Sequence, residues 1–184
     1  EKLRLRSYKL NPADNDTVFL EIKKKIGGIV NKRRVVLTYK QAVDFIKYKK
    51  VPQLDGIQQQ IMSEICYYVK LHPIEKYVLI HYDRTALFGK DDNSLRITFD
   101  RNLTSEENTN ILRTDSCGKF IVSPETRIME IKINGAMPLW LSELLTKNKI
   151  YSGSFSKFGR NFQNETKRTV LSAKITDEKN VAYA

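Results

Sequence analysis

Gly27-Gly28 stands between two runs, Thr17 to Ile26 and Ile29 to Thr38, whose side chains largely alternate between apolar and polar or charged. Two glycines joining two β-patterned runs are a hairpin signal, because both turn positions need a positive φ that glycine adopts at little steric cost. The turn sets a register in which Lys23 faces Lys32 and Glu21 faces Arg34, all four on one side of the sheet. Like charges placed opposite each other destabilise a bare hairpin. Lys23 against Lys32 therefore asks for an anion supplied from elsewhere.

The same two-sided pattern recurs along the chain. Lys2 to Tyr8 alternates basic residues with leucine, and Asn11 to Asp16 is turn chemistry. A helix is expected from Tyr39 to Lys49. A second is expected after Asp55-Gly56, where Ile57, Ile61, Ile65 and Tyr68 recur at helical spacing as a core-facing stripe, ended by His72-Pro73. A strand is expected from Lys76 to Phe88, a turn at 89–93, and a strand from Leu95 to Asp100 with Arg96, Thr98 and Asp100 on one face. The stretch 102–120 is polar and shows no clear period. A strand follows over 126–133, with Glu130 and Lys132 on one face. Pro138 opens a helix to about Lys147, and a short helix is expected over 155–166. No internal repeat or linker interrupts the 184 residues, which suit a single α+β domain over 1–184.

Lys and Arg outnumber Asp and Glu by 32 to 21, a formal net charge of +11. Such a surplus speaks of partners rather than fold: nucleic acid, an anionic membrane surface, or a small polyanion. Its distribution narrows the choice. Arg4 and Arg6, then Glu21, Lys23 and Lys25, then Lys32 and Arg34, then Tyr82 and Arg84, then Arg96, all fall on the polar faces of their strands. A merely solvated face mixes charges evenly, whereas this one is rich in arginine, whose planar fork matches phosphate oxygens. If the polar faces curl inward, helices must cover the apolar ones, which gives an antiparallel β-tunnel or barrel with a charged lumen. Close like-charged pairs in such a lumen cost roughly 4 kcal/mol each at an effective dielectric near 20, so a polyanion is the expected countercharge.

Other chemistries lack their signatures. There is no GxxxxGK[ST] and no GxGxxG. No Ser/His/Asp or Cys/His arrangement is visible, and His81 lies on the strand face opposite Tyr82 and Arg84. Cys66 and Cys117 have no CxxC partner, and with two His no familiar zinc spacing can be assembled. They are expected as free thiols in a reducing cytoplasm. No apolar run reaches the length of a membrane span. A nucleic-acid binder wants aromatics interleaved with its basic residues; Tyr8 and Tyr82 alone do not supply them, so nucleic acid is not the expected partner.

In order along the chain stand KLRLRSY (Lys2 to Tyr8), FLEIKKK (Phe19 to Lys25), NKRRVVLT (Asn31 to Thr38), YDRTAL (Tyr82 to Leu87), LRITFD (Leu95 to Asp100), MEIKI (Met129 to Ile133) and SFSKF (Ser154 to Phe158). In this order they resemble the VTC domain, the polyphosphate polymerase branch of the triphosphate tunnel metalloenzymes, in its bacterial form. The resemblance implies a tunnel of antiparallel strands in which the terminal phosphate of ATP passes to a growing polyphosphate chain with Mn²⁺ or Mg²⁺. By the same resemblance, Arg84, Arg96 and Lys157 are the catalytic candidates. Arg4, Arg6, Lys23, Lys32, Arg34, Tyr82 and Ser156 would hold phosphate, and Glu130 would bind the metal. The lesser alternative for Glu130 is an ion-pair partner of a neighbouring cation.

The sequence departs from the family in two places. The family's opening strand, with a further tunnel lysine, is missing ahead of Glu1, so the domain is expected to be incomplete at its amino end and completed by a missing segment or a second chain. Ser154 stands where the eukaryotic enzyme has another lysine. The alternatives to a polymerase are a non-catalytic module for polyphosphate or inositol phosphates, and a tunnel triphosphatase that uses water as acceptor.

Overall fold

A computed structural model describes residues 1–74, 78–90, 92–107 and 110–167. The fold is α+β with two antiparallel sheets, and the chain divides into two compact units. The first comprises 1–79 and 107–117; the second comprises 80–106 and the described residues after 117.

The first unit is built on the glycine hairpin. Its sheet runs β1 (Lys2–Arg6), β2 (Thr17–Ile26), β3 (Ile29–Thr38), with neighbours antiparallel. Gly27 and Gly28 have φ of 55° and 85°, the left-handed values a tight hairpin turn demands. The expected register holds: Glu21 pairs with Arg34 and Lys23 with Lys32. β1 extends both rows, placing Arg4 beside Glu21 and Lys2 beside Lys23.

The opposite face of this sheet is covered by α1 (Tyr39–Tyr48) and α2 (Gly56–Leu71). α1 starts at once after β3 because Thr38 and Gln41 form a capping box: the Thr38 hydroxyl accepts from Gln41 N–H at 3.2 Å, and the Gln41 amide oxygen accepts from Thr38 N–H at 2.9 Å. Lys49 ends the helix at φ 58°. The core joins Val18, Leu20, Ile22, Val35 and Leu37 of the sheet to Ala42 and Phe45 of α1 and to Ile61, Met62, Ile65 and Val69 of α2.

The α2 stripe differs from expectation at its start. Ile57 is exposed and Tyr68 only partly buried, while Met62 and Val69 join the core. In the first turn, Gln58 instead turns to the outer edge of the sheet, where its amide oxygen accepts the Val36 N–H at 2.9 Å. That edge N–H has no strand partner, and meeting it takes precedence over burying Ile57.

The second unit holds β4 (Val78–Phe88), β5 (Arg96–Glu107), β6 (Lys119–Phe120) and β7 (Ile128–Lys132), with β5 pairing all three others. β5 outruns its expected end at Asp100. Asn102 takes φ 52° in mid-strand, which shifts the side-chain alternation, and Leu103, Thr104 and Ser105 then fall in succession into buried positions. A period-two reading stops where that shift begins. α3 (Leu139–Lys147) starts after Pro138, and a last helix, α4, spans 157–167.

Residues 76–77 of the expected fourth strand, and the chain beyond 167, lie outside the described residues. Both cysteines are free thiols. Among the described residues, no helix is long and apolar enough to cross a membrane.

The core assignment is testable by denaturant unfolding. Leu20→Ala is expected to cost about 2–5 kcal/mol. Ile57→Ala, at an exposed position, is expected to change stability by no more than ~0.5 kcal/mol.

Candidate functional site

The polar face of the first sheet carries Lys2, Arg4, Arg6, Lys23, Lys25, Lys32 and Arg34, with Glu21 as the carboxylate among them. Glu21 lies in the central strand, with a side chain only 2% exposed. Its Oε2 accepts from Arg4 Nε at 3.0 Å, and its Oε1 from Arg34 Nη2 at 2.6 Å and Lys32 Nζ at 2.8 Å. The three cations remain open to solvent, Arg4 at 52%, Lys32 at 41% and Arg34 at 37%. A buried anion thus gathers three cations whose outer surfaces stay accessible.

Burial alone would raise the Glu21 pKa. Hydrogen bonds from Lys32, Arg4 and Arg34 outweigh it and hold the carboxyl at about 2. At the end of β1, the Arg34 guanidinium lies 4.6 Å from the Phe19 ring centroid, and Tyr8 meets Phe19 edge-on. Arg6 hydrogen-bonds the Tyr8 phenol and lowers its pKa. Lys23 stands between Lys2 and Lys32 in one row across the three strands.

In the second unit the same device is built around Asp100, whose side chain is 2% exposed. Arg84 approaches it in parallel, Nε to Oδ1 at 2.6 Å and Nη2 to Oδ2 at 2.7 Å. Lys157 Nζ reaches Oδ2 at 2.6 Å. Burial opposes the charge on Asp100, but the hydrogen bonds from Arg84 and Lys157 keep its pKa below the ordinary value; the Asp100 bonds in turn raise that of Arg84. Tyr82 stacks under both cations, its ring 5.3 Å from the Arg84 guanidinium and 4.7 Å from Lys157 Nζ.

α4 places Lys157 in its first turn. The Ser156 hydroxyl accepts the Gly159 N–H at 3.2 Å as the helix cap. Farther along α4, Asn161 is hydrogen-bonded to Ser105 of β5, and Asn164 donates to the Ile121 carbonyl at 2.8 Å.

Next to Asp100 on β5, Thr98 pairs across β7 with Glu130, and Arg96 with Lys132. Among the described residues, neither the Thr98 hydroxyl nor Arg96 Nε, both buried, meets a hydrogen-bond partner, a cost of about 1–3 kcal/mol apiece unless water or a bound group meets them. Glu130 is half-exposed, 3.3 Å from Lys132 Nζ and 3.7 Å from Arg84 Nη2.

The VTC domain model matches residues 1–164. The chain belongs to the VTC domain family. No match is found among curated proteins.

Within this VTC domain the residues expected to bind phosphate fall into two groups. Arg4, Lys32 and Arg34 meet at Glu21, with Lys23 in the adjacent row and Arg6 beside Tyr8. Arg84, Lys157 and Tyr82 meet at Asp100, with Ser156 capping the helix that carries Lys157. The Arg96 guanidinium lies 5.3 Å from the Phe88 ring centroid. The sequence reading missed Glu21 and Asp100 as members of the site. The signal was there for Glu21, a lone acid on a basic strand face, and weaker for Asp100, which shares its strand face with Arg96 and Thr98.

Among the described residues, no three His, Cys, Asp or Glu side chains are grouped so as to cage a metal. Glu130, with Lys132 and Arg84 as its charged neighbours, could supply a divalent cation with one carboxylate, as Mg²⁺ takes when phosphate oxygens and water complete its shell.

Acid titration tests the Glu21 cluster. A pKa held at about 2 in the fold against an ordinary 4.5 contributes stability that is complete above pH 4.5 and disappears as pH falls through about 2. After discounting for the solvent-screened partners, that contribution is roughly 1–3 kcal/mol. Urea unfolding should therefore show wild type more stable than Glu21→Gln near neutral pH, with the gap closing across that window. A gap independent of pH would contradict the assignment.

Proposed function

We propose that this VTC domain is an ATP-dependent polyphosphate polymerase. The observation that carries the reading is the convergence of Arg84 and Lys157 on buried Asp100. Arg84 commits Nε and Nη2 to the carboxylate, which leaves Nη1 to donate. Lys157 commits one of its three donors. Both cations are therefore fixed in place with donors to spare, as electrostatic stabilisation of phosphoryl transfer requires.

In the proposed reaction, a terminal phosphate oxygen of the acceptor chain forms a bond to the γ-phosphorus of ATP. The bond from that phosphorus to the β–γ bridging oxygen breaks, and ADP leaves with the electron pair. No protein nucleophile is needed. Arg84, Lys157 and Arg96 would neutralise charge on the transferring group, with the unmatched Arg96 Nε as a donor in waiting. Tyr82 and Ser156 would hold phosphate beside them, and in the first unit Arg4, Arg6, Lys23, Lys32 and Arg34 would bind phosphate on their own face. Glu130 would hold Mn²⁺ or Mg²⁺, which when bound supplies further charge neutralisation on phosphate oxygens.

A second reading, a non-catalytic module that binds polyphosphate or inositol phosphates, draws on the contacts of Glu130 with Lys132 and Arg84, which give that carboxylate an ion-pair role without any metal.

Incubation with ATP and Mn²⁺, with products resolved on a polyphosphate-stained gel, separates the two. The polymerase reading expects polymer from wild type and a loss of at least ~100-fold in Arg84→Ala, with poor rescue by Arg84→Lys because the paired approach to Asp100 is lost. Tight polyphosphate binding without polymer from wild type supports the module instead. In a separate assay, Glu130→Gln is expected to raise the Mn²⁺ concentration needed for half-maximal turnover; an unchanged metal titration would assign Glu130 to ion pairing alone.

A further inference from the structure

Glu21 and Asp100 sit where an incoming phosphate chain meets resistance. Each is a buried carboxylate set among cations, joined in the second unit by half-exposed Glu130 at 3.7 Å from Arg84 Nη2, and each occupies donors that phosphate oxygens would take. At 2% exposure neither can swing out to solvent when a ligand arrives. A ligand on the exposed sides of Arg4, Lys32 and Arg34 must share those cations with Glu21. The same holds for Arg84 and Lys157 with Asp100. A neutral amide keeps one oxygen to accept from these cations and sets an NH2 donor where the second carboxylate oxygen was, so it removes the charge while retaining part of the contacts.

We propose that Glu21 and Asp100 are built-in competitors of the polyphosphate chain, each weakening the grip of its own surrounding cations so that the polyanion can move along that face instead of being held fast. The proposal rests on the polyphosphate reading above. A polymerase must shift its product by one phosphate unit in each cycle. A face of unopposed guanidinium and ammonium groups would make that slow, since affinity among related complexes is set mostly by the dissociation rate. A fixed carboxylate beneath the cations lowers the net field felt by every phosphate alike, and so loosens binding without favouring one register. Both positions act through the neighbouring cations and are positioning residues, not catalytic ones.

The proposal predicts a change opposite in sign to that of ordinary damage. Wild type, Glu21→Gln, Asp100→Asn and the charge-conserving Glu21→Asp are titrated calorimetrically with inorganic tripolyphosphate and with long-chain polyphosphate over a range of salt. The two neutral variants are expected to bind about tenfold tighter at low salt. Their log Kd against log salt should steepen by about one ion, with slower release of the long chain. Glu21→Asp is expected to stay close to wild type. Thermal melts guard against poor folding: a neutral variant that is less stable alone should gain more in Tm from tripolyphosphate than wild type does. Weaker or unchanged binding by the neutral variants, with no larger gain in Tm, overturns the proposal and leaves the polyphosphate reading intact. Absence of binding to wild type overturns that reading, and the proposal with it.

Discussion

A carboxylate sunk beneath a layer of cations is the interaction on which both polar faces depend. Removing Glu21 or Asp100 from water costs several kcal/mol per charge, and the cost is recovered only when the geometry is good and the lone pairs are met. Here they are met: by Arg4, Lys32 and Arg34 in one unit, and by Arg84 and Lys157 in the other. The cations gain in turn. Without Glu21, three positive side chains would converge on one spot of the sheet, at roughly 4 kcal/mol of repulsion per close pair. The acid and its cations are therefore interdependent, and neither half of the cluster would be stable at that density alone.

Backbone geometry delivers the partners. The row Arg4, Glu21, Arg34 exists because the glycine turn fixes β2 against β3 and β1 joins in the matching register. A slip of one residue would carry Glu21 into the apolar core and Leu20 or Ile22 onto the basic face, so burial under α1 and α2 enforces the register that the cluster needs. In the second unit the constraint is longer-range. Lys157 is brought to Asp100 by α4, which is secured to the sheet region by polar contacts from Asn161 and Asn164.

The hairpin was legible to the residue because a glycine pair between two largely alternating runs is a local signal. Both strands, their register and the shared face of Lys23, Lys32, Glu21 and Arg34 follow from them. β5 was legible only to Asp100, because positive φ at Asn102 resets the side-chain alternation and a period-two reading loses phase there. β6 is two residues long and carries no period at all. The carboxylates were visible but undervalued. Counting charge on a strand face ranks the many arginines and lysines above the single acid, whereas burial reverses that ranking. The anchoring of α4 was out of reach, since nothing local ties Asn161 to Ser105 across the intervening sequence.

The two clusters differ in a way that bears on what each can do. Around Glu21 the cations are between 37% and 52% exposed; around Asp100 they are 25% and 22% exposed. Exposed cations act through a high effective dielectric and are screened by salt, which suits holding a chain that must also let go. Less exposed cations act through a lower dielectric, where the same charge does more for a transition state and reorganises less as the reaction proceeds. The unmatched Arg96 Nε and Thr98 hydroxyl lie on the side of Asp100. Taken each within its own unit, the Glu21 face has the exposure that suits reversible binding of an anion, and the Asp100 face the shelter that suits stabilising developing charge.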